Sequence, residues 1–153
     1  MIHITEPILA WYTRIDDNAD FIPTKEKYLG TYTARKNIAV RIQLWNNRFG
    51  IEDVKDLKNF SVKVFFQDTE DSSLLKYLTF EDKDGNTIEM ENFGKFILVK
   101  FPGDFTLEGK ANNGITNENK KNYVEFKIVF KAPETAQLKE GDLKNIYLEV
   151  VSN

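Results

Sequence analysis

The chain of 153 residues contains no cysteine and a single histidine, His3. A disulfide scaffold, a thiolate metal site and a cysteine nucleophile are therefore excluded. A Ser-His-Asp triad would have to use His3, and a group so near a chain end rarely holds the geometry that general-base chemistry needs. A zinc site built from several histidines is ruled out on the same count. Charge of one sign is also missing. Twenty-one Lys and Arg stand against 24 Asp and Glu, a formal net charge of −3, with the two signs mixed along the chain. No basic block is present that could neutralise a run of phosphates, so nucleic acid is not an expected partner. Nor is there an apolar run of about 20 residues, the length a membrane-spanning helix requires.

Other motifs are incomplete. Glycines 103, 109 and 114 have neither Walker nor dinucleotide spacing. Ser73 and Lys76 match Ser-x-x-Lys, but the companion Ser-Asp-Asn and Lys-Thr-Gly motifs of that chemistry are absent. Asn59-Phe60-Ser61 fits a glycosylation sequon, but Phe60 reads as a core residue. "MIHITEPILAWYTRIDD" lacks a basic start followed by a long apolar stretch, which leads to the expectation that it is not a signal peptide. No enzyme activity, metal or cofactor is expected.

What the chain does have is a period of two. Ile38, Val40, Ile42 and Leu44 alternate with Arg41 and Gln43. Phe60, Val62, Val64 and Phe66 alternate with Ser61, Lys63 and Phe65. Val124, Phe126, Ile128 and Phe130 form a third series, and Ile146, Leu148 and Val150 a fourth. Such alternation describes antiparallel strands with one face on a core and one face wet. Phe96–Phe101 is apolar on both faces and reads as a more central strand. Leu74–Asp82 reads as a strand, although Leu74, Leu75 and Leu78 would also suit a helical turn.

Turn chemistry separates these runs. Asp84-Gly85 predicts a hairpin between Phe80 and Ile88. Asp82, Asp84 and Asn86 in the same stretch also have the spacing that opens a calcium loop, but a Phe stands at position 93 where that loop needs its bidentate Glu. Glu89 and Glu91 nearby leave an irregular calcium site as the alternative to a plain hairpin turn. Pro102-Gly103 fits a type II turn. Residues 108–122 are too polar to order themselves by burial. Residues 131–142 are expected to cross from one strand to the next. At Asn46-Asn47-Arg48-Phe49-Gly50 an inward series stops, and Asn46, Asn47 and Gly50 tolerate the positive φ a corner needs. Ile51, Val54 and Leu57 have helical spacing and predict a short turn of helix before the inward series restarts at Phe60. Seven or more short strands with such breaks predict an all-β, immunoglobulin-like antiparallel sandwich over residues 31–153. Residues 1–30, cut by Pro7, Pro23 and Gly30, predict an extended N-terminal arm. It would serve either as an edge strand of the body or as a tether on a neighbouring subunit.

The run "NIAVRIQLWNNRFGIEDVKDLKNFSVKVFF" resembles the B–C region of bacterial immunoglobulin-like modules of the CARDB type, and "APETAQLKEGDLKNIYLEV" is similar to their F–G region. The likeness spans residues 36–152, and the Gly50–Phe60 connection and the arm depart from it. A sandwich carrying an arm, in a Lys- and Asn-rich chain, further resembles accessory proteins of tailed-phage virions: capsid decoration, head–tail or baseplate components. That likeness implies a location in the virion, with other virion proteins or further copies of the chain as partners. Aromatic side chains supply the candidate contacts, because each buries a large area at low entropic cost. Trp11, Tyr12 and Phe21 lie in the arm, and Trp45 falls on a polar strand face, as do Phe65 and Tyr147. Either a neighbouring element of the same chain covers these rings or another subunit does. The competing reading is a carbohydrate-binding or adhesion module, with exposed aromatics and loop 108–122 facing a surface glycan.

Overall fold

The computed structural model describes residues 5–14, 20–23, 26–27, 30–32, 38–66, 69–101, 105–131, 141–143 and 146–152. His3, the turn at Pro102-Gly103 and most of the crossing after Lys131 lie outside the described residues.

The fold is all-β. Among the described residues there are two five-stranded sheets and two two-stranded pairs. The strands in chain order are β1 (Leu9–Arg14), β2 (Ile22–Pro23), β3 (Glu26–Lys27), β4 (Gly30–Tyr32), β5 (Ile38–Asn46), β6 (Leu57–Lys58) and β7 (Phe60–Phe66). They continue with β8 (Leu78–Asp82), β9 (Met90–Asn92), β10 (Ile97–Lys100), β11 (Thr106–Leu107), β12 (Tyr123–Phe130), β13 (Gly141–Leu143) and β14 (Ile146–Ser152). The first sheet has the order β2-β1-β5-β12-β8 and the second β3-β14-β7-β10-β9. β6 pairs with β11, and β4 with β13.

The period of two becomes the packing of the sandwich. Val40, Ile42, Leu44, Phe80, Phe126, Ile128 and Phe130 come from the first sheet. Phe60, Val62, Val64, Ile97, Val99, Ile146 and Leu148 come from the second, and all fourteen join one buried cluster. Each such side chain contributes roughly 1.5–3 kcal/mol relative to an exposed one. The corner at residues 46–50 does change sheets while keeping the inward series in phase: Leu44 and Phe60 face the same core.

The order β1-β5-β12-β8 is the A-B-E-D order of an immunoglobulin sandwich, and β14 beside β7 stands as F beside C. Two features differ. The place beside β14, where a G strand would stand, is taken by β3 from the first thirty residues. β9 and β10 leave the chain between β8 and β12, cross to the second sheet, and occupy its edge beside β7.

The described strands of the first thirty residues are extended and lie on the body. β1 pairs with β5 through six residues, from Leu9↔Asn46 to Arg14↔Arg41. β2 then covers the outer edge of β1, and β3 covers the edge of β14.

Three local expectations change. Residues 69–77 form a 3-10 segment, and the strand starts only at Leu78. Leu75 drops into the core from that segment, while Ser73 and Lys76 are exposed. No helix forms over residues 51–57, because the backbone there bonds outward. The Val54 amide donates to the Gly109 carbonyl at 2.8 Å and the Lys55 amide to that of Thr5 at 2.9 Å. Loop 108–122, too polar to order itself by burial, is ordered by hydrogen bonds instead. Its amides and side chains bond to Asp53, Asp56, Asn47 and to one another.

The Asp84-Gly85 hairpin forms as expected, with Gly85 at φ 86°. Asp82 shapes it. Its Oδ1 accepts from the backbone amides of Asp84 and Asn86, both at 2.9 Å. Among the described residues, no group of three or more His, Asp or Glu is placed to hold a metal ion.

Candidate interaction surface

One end of the sandwich is built from asparagine. Asn46, Asn47 and Asn122 are buried there, each 5% exposed or less. A buried amide must find partners or cost about 1–3 kcal/mol, and here each one does. Asn46 Nδ2 donates to the carbonyls of Lys55 (2.9 Å) and Leu107 (3.2 Å), while its Oδ1 accepts from the Ile8 amide at 3.1 Å. Asn47 Nδ2 donates to Glu52 and Gly109 carbonyls at 2.8 and 2.9 Å. Asn122 Nδ2 reaches the carbonyls of Glu108 and Lys110 at 3.0 and 2.9 Å. Three chain segments, before β1, after β5 and before β12, are thereby fixed to one another.

The corner was expected to turn on Asn46, Asn47 and Gly50. The residues with positive φ are Asn47 (60°) and Phe49 (62°). Gly50 is needed for space instead, since a Cβ there would lie 2.0 Å from Asn47 Oδ1. A phenylalanine in the left-handed region is uncommon and costs on the order of 1–2 kcal/mol. Such outliers persist where the surroundings enforce them. The Phe49 ring lies directly against Gly114, where a Cβ would come within 2.0 Å of the ring. Its amide donates to Asn112 Oδ1 at 3.2 Å. Even so, Phe49 remains 60% exposed. Ile51 is 93% exposed, and Ile8 and Ile115, on the adjoining segments, are about half exposed. The frame thus spends polar side chains inside to hold apolar ones outside.

Behind this tip lies the outer face of the first sheet. Arg48 is stacked among three rings, with Cζ 4.4 Å from the centroid of Tyr12, 4.6 Å from Trp45 and 4.9 Å from Phe49. Its Nε and Nη2 donate to the Gly114 carbonyl at 3.2 and 3.1 Å. Trp45 stacks on Tyr123 at 4.6 Å, and its Nε1 donates to Gln43 Oε1 at 2.9 Å. Gln43 in turn donates to Glu125 at 2.9 Å, and Arg41 lies 3.7 Å from that carboxylate. Burial, and next to it the Glu125 charge, raise the Tyr123 phenol above its ordinary range.

The candidate contact residues therefore separate. Tyr12 and Trp45 converge on Arg48. Trp45 occupies the polar face that its parity assigns, but it is 0% exposed. The expectation that it offers area to a partner is corrected: Tyr123, Gln43 and Arg48 seal it. Trp11 is opposite Leu44 and packs against the core from the other face of β1. Phe21 lies farther along, against Arg14 Cζ at 4.6 Å. Phe65 and Tyr147 stack on each other across β7 and β14 at 5.5 Å. Sequence reasoning missed Phe49, Ile51 and Ile115. The available signal was an isoleucine between a glycine and an acidic pair, read as helix spacing and not as an exposed side chain. Comparison with family models, curated proteins and solved structures gives no match for this chain.

Proposed function

We propose that the protein is a non-enzymatic interaction protein that assembles into a larger particle by docking the Phe49–Ile51 tip onto a neighbour. The observation that carries this reading is Phe49, a strained residue held in place by a hydrogen-bonded frame yet still 60% exposed. A free chain gains nothing from an exposed Phe49 and an almost fully exposed Ile51. A partner that covers them gains apolar burial with little ordering cost, because the frame is already fixed. A specific contact would bury on the order of 1,200 Å² or more in total, so the tip would act as the anchor of a wider footprint. The outer aromatic face and the N-terminal strands lie beside it.

The particle we assign is a tailed-phage virion, with this chain as a decoration, head–tail or baseplate component. Support comes from the likeness to accessory modules of that kind. Mass spectrometry of particles purified from the source bacterium tests it: the chain should be present in fixed stoichiometry, and its absence from particles rejects the virion assignment. Phe49→Ser with Ile51→Ser should abolish incorporation while the chain stays folded by circular dichroism. Normal incorporation of that double variant rejects the tip as the anchor.

A further inference from the structure

A cleft of about 540 Å³ opens at the side of the sandwich, between the edge strand β8 of one sheet and the β9–β10 edge of the other. Its size lies within the range of small-molecule sites, roughly 300–1,000 Å³. The floor is apolar and comes from the core. Phe101 and Phe105 line it, stacked at 5.4 Å with 26° between planes. Phe60 supports both from beneath, at 5.2 and 5.9 Å, and Phe126 meets Phe101 edge-on at 6.2 Å. Both floor rings are only half-buried. Ile88 and Val124 complete the floor.

The rim is polar and of mixed sign. Asp82, Glu89 and Glu125 bring carboxylates, Thr87 a hydroxyl, and Lys100 an ammonium. Lys100 is 3.0 Å from Glu91, and that hydrogen bond holds its pKa above the ordinary lysine value. Two of the carboxylates are already partly compensated. Glu125 accepts from Gln43 beside Arg41, and Asp82 accepts from the amides of its own turn. Each still has lone pairs to offer, since a carboxylate has about four acceptor sites.

This combination discriminates between ligands. An anion would meet three carboxylates, and a cation would meet Lys100 and find two of the three acids, Asp82 and Glu125, already partly answered. A neutral ring with an apolar C–H face and a girdle of hydroxyls meets neither objection. Its C–H face suits the negative face of an aromatic ring, and its hydroxyls both donate to carboxylates and accept from Lys100 and Thr87. From this geometry we infer that the cleft binds a neutral pyranose unit of a glycan, seated on Phe101 and Phe105 and oriented by Glu89, Asp82 and Lys100. The site is distinct from the Phe49–Ile51 tip, and it is also distinct from Trp45 and loop 108–122.

Amide NMR titration of the full chain with methyl glucoside, galactoside, mannoside and 2-acetamido-2-deoxyglucoside tests this. At least one should shift the signals of residues 87–89, 100–101 and 105 in a saturable way. Glu89→Gln, at an exposed position, should leave the rest of the spectrum unchanged and weaken binding roughly tenfold, the scale of one charge-assisted hydrogen bond. Phe105→Leu should weaken it at least as much. Ile51→Ser should bind the sugar like the parent chain, which separates this site from the proposed tip. The inference is overturned if none of the four pyranosides shifts those signals at its solubility limit. It is equally overturned if the shifts map elsewhere, or if N-acetylarginine methylamide occupies the cleft where the pyranosides do not.

Discussion

The middle of the sandwich and its asparagine end are held together by opposite means. In the middle, Ile42, Val64, Phe80, Ile97 and Phe126 interdigitate and no polar side chain is needed among them. At the end, Asn46, Asn47 and Asn122 do the binding, and Phe49 and Ile51 stay outside. Apolar packing is non-directional, so the middle tolerates apolar residues of suitable volume. Amide hydrogen bonds are directional, so each asparagine specifies one arrangement of three loops. The first kind of region supplies stability and the second fixes a shape.

The sharpest way to break this contrast is to cut the middle. Phe126→Ala should cost about 3–5 kcal/mol in urea unfolding, through lost burial and the cavity it leaves. Phe126→Leu should cost clearly less, because the site reads volume. Asn47→Ala comes next, at about 2–4 kcal/mol, since it orphans the Glu52 carbonyl, takes one of two donors from the Gly109 carbonyl and puts a Cβ residue at positive φ without the side chain that favours it. Asn47→Gly should recover roughly 1 kcal/mol of that loss, the backbone share alone. If Asn47→Asp or Asn47→Leu proved neutral, the directional account of the end would fail. Arg48→Met should cost about 1–2 kcal/mol and change Trp45 fluorescence, as the cation leaves the three rings. Ile51→Ser should alter stability by no more than about 0.5 kcal/mol, because a side chain 93% exposed loses nothing in the free chain.

A pH measurement refines the comparison at a third place. Backbone amides, that of Asn86 foremost, hold the Asp82 carboxyl below its ordinary pKa. A depressed folded-state pKa means that the ionised form stabilises the hairpin. That contribution is complete above the unfolded value of about 3.9 and is lost as pH falls through the folded one. The protection of the Asp84 and Asn86 amides against exchange, taken relative to the intrinsic rate at each pH, should therefore fall in acid, and Asp82→Asn should remove the dependence.

Much of the fold was legible because alternation is a local signal. Strands β5, β7, β12 and β14 are the four alternating runs, and the Asp84-Gly85 turn is where its residues place it. The 3-10 segment at 69–77 was harder, because an apolar triad at Leu74, Leu75 and Leu78 fits a strand as well as a turn. Loop 108–122 was misjudged for a specific reason. Composition registers that asparagine is polar, but not that Asn47 and Asn122 find carbonyls 62 and 12 residues away. Trp45 failed in the same manner: parity gave its face correctly, but its cover, Tyr123 and Arg48, depends on which strand lies beside β5. The exposed Phe49 left no periodic trace, and Ile51 left only a helical spacing that the backbone does not realise.

By itself the sequence determined that this chain is an all-β sandwich without thiol chemistry, because side-chain alternation and residue inventory are properties of the chain alone. Only the tertiary structure decided that β1 enters the first sheet, that the β9–β10 hairpin crosses to the second, and which aromatics are sealed and which face out. Those outcomes follow from strand order and long-range hydrogen bonds, which join residues that no local pattern relates.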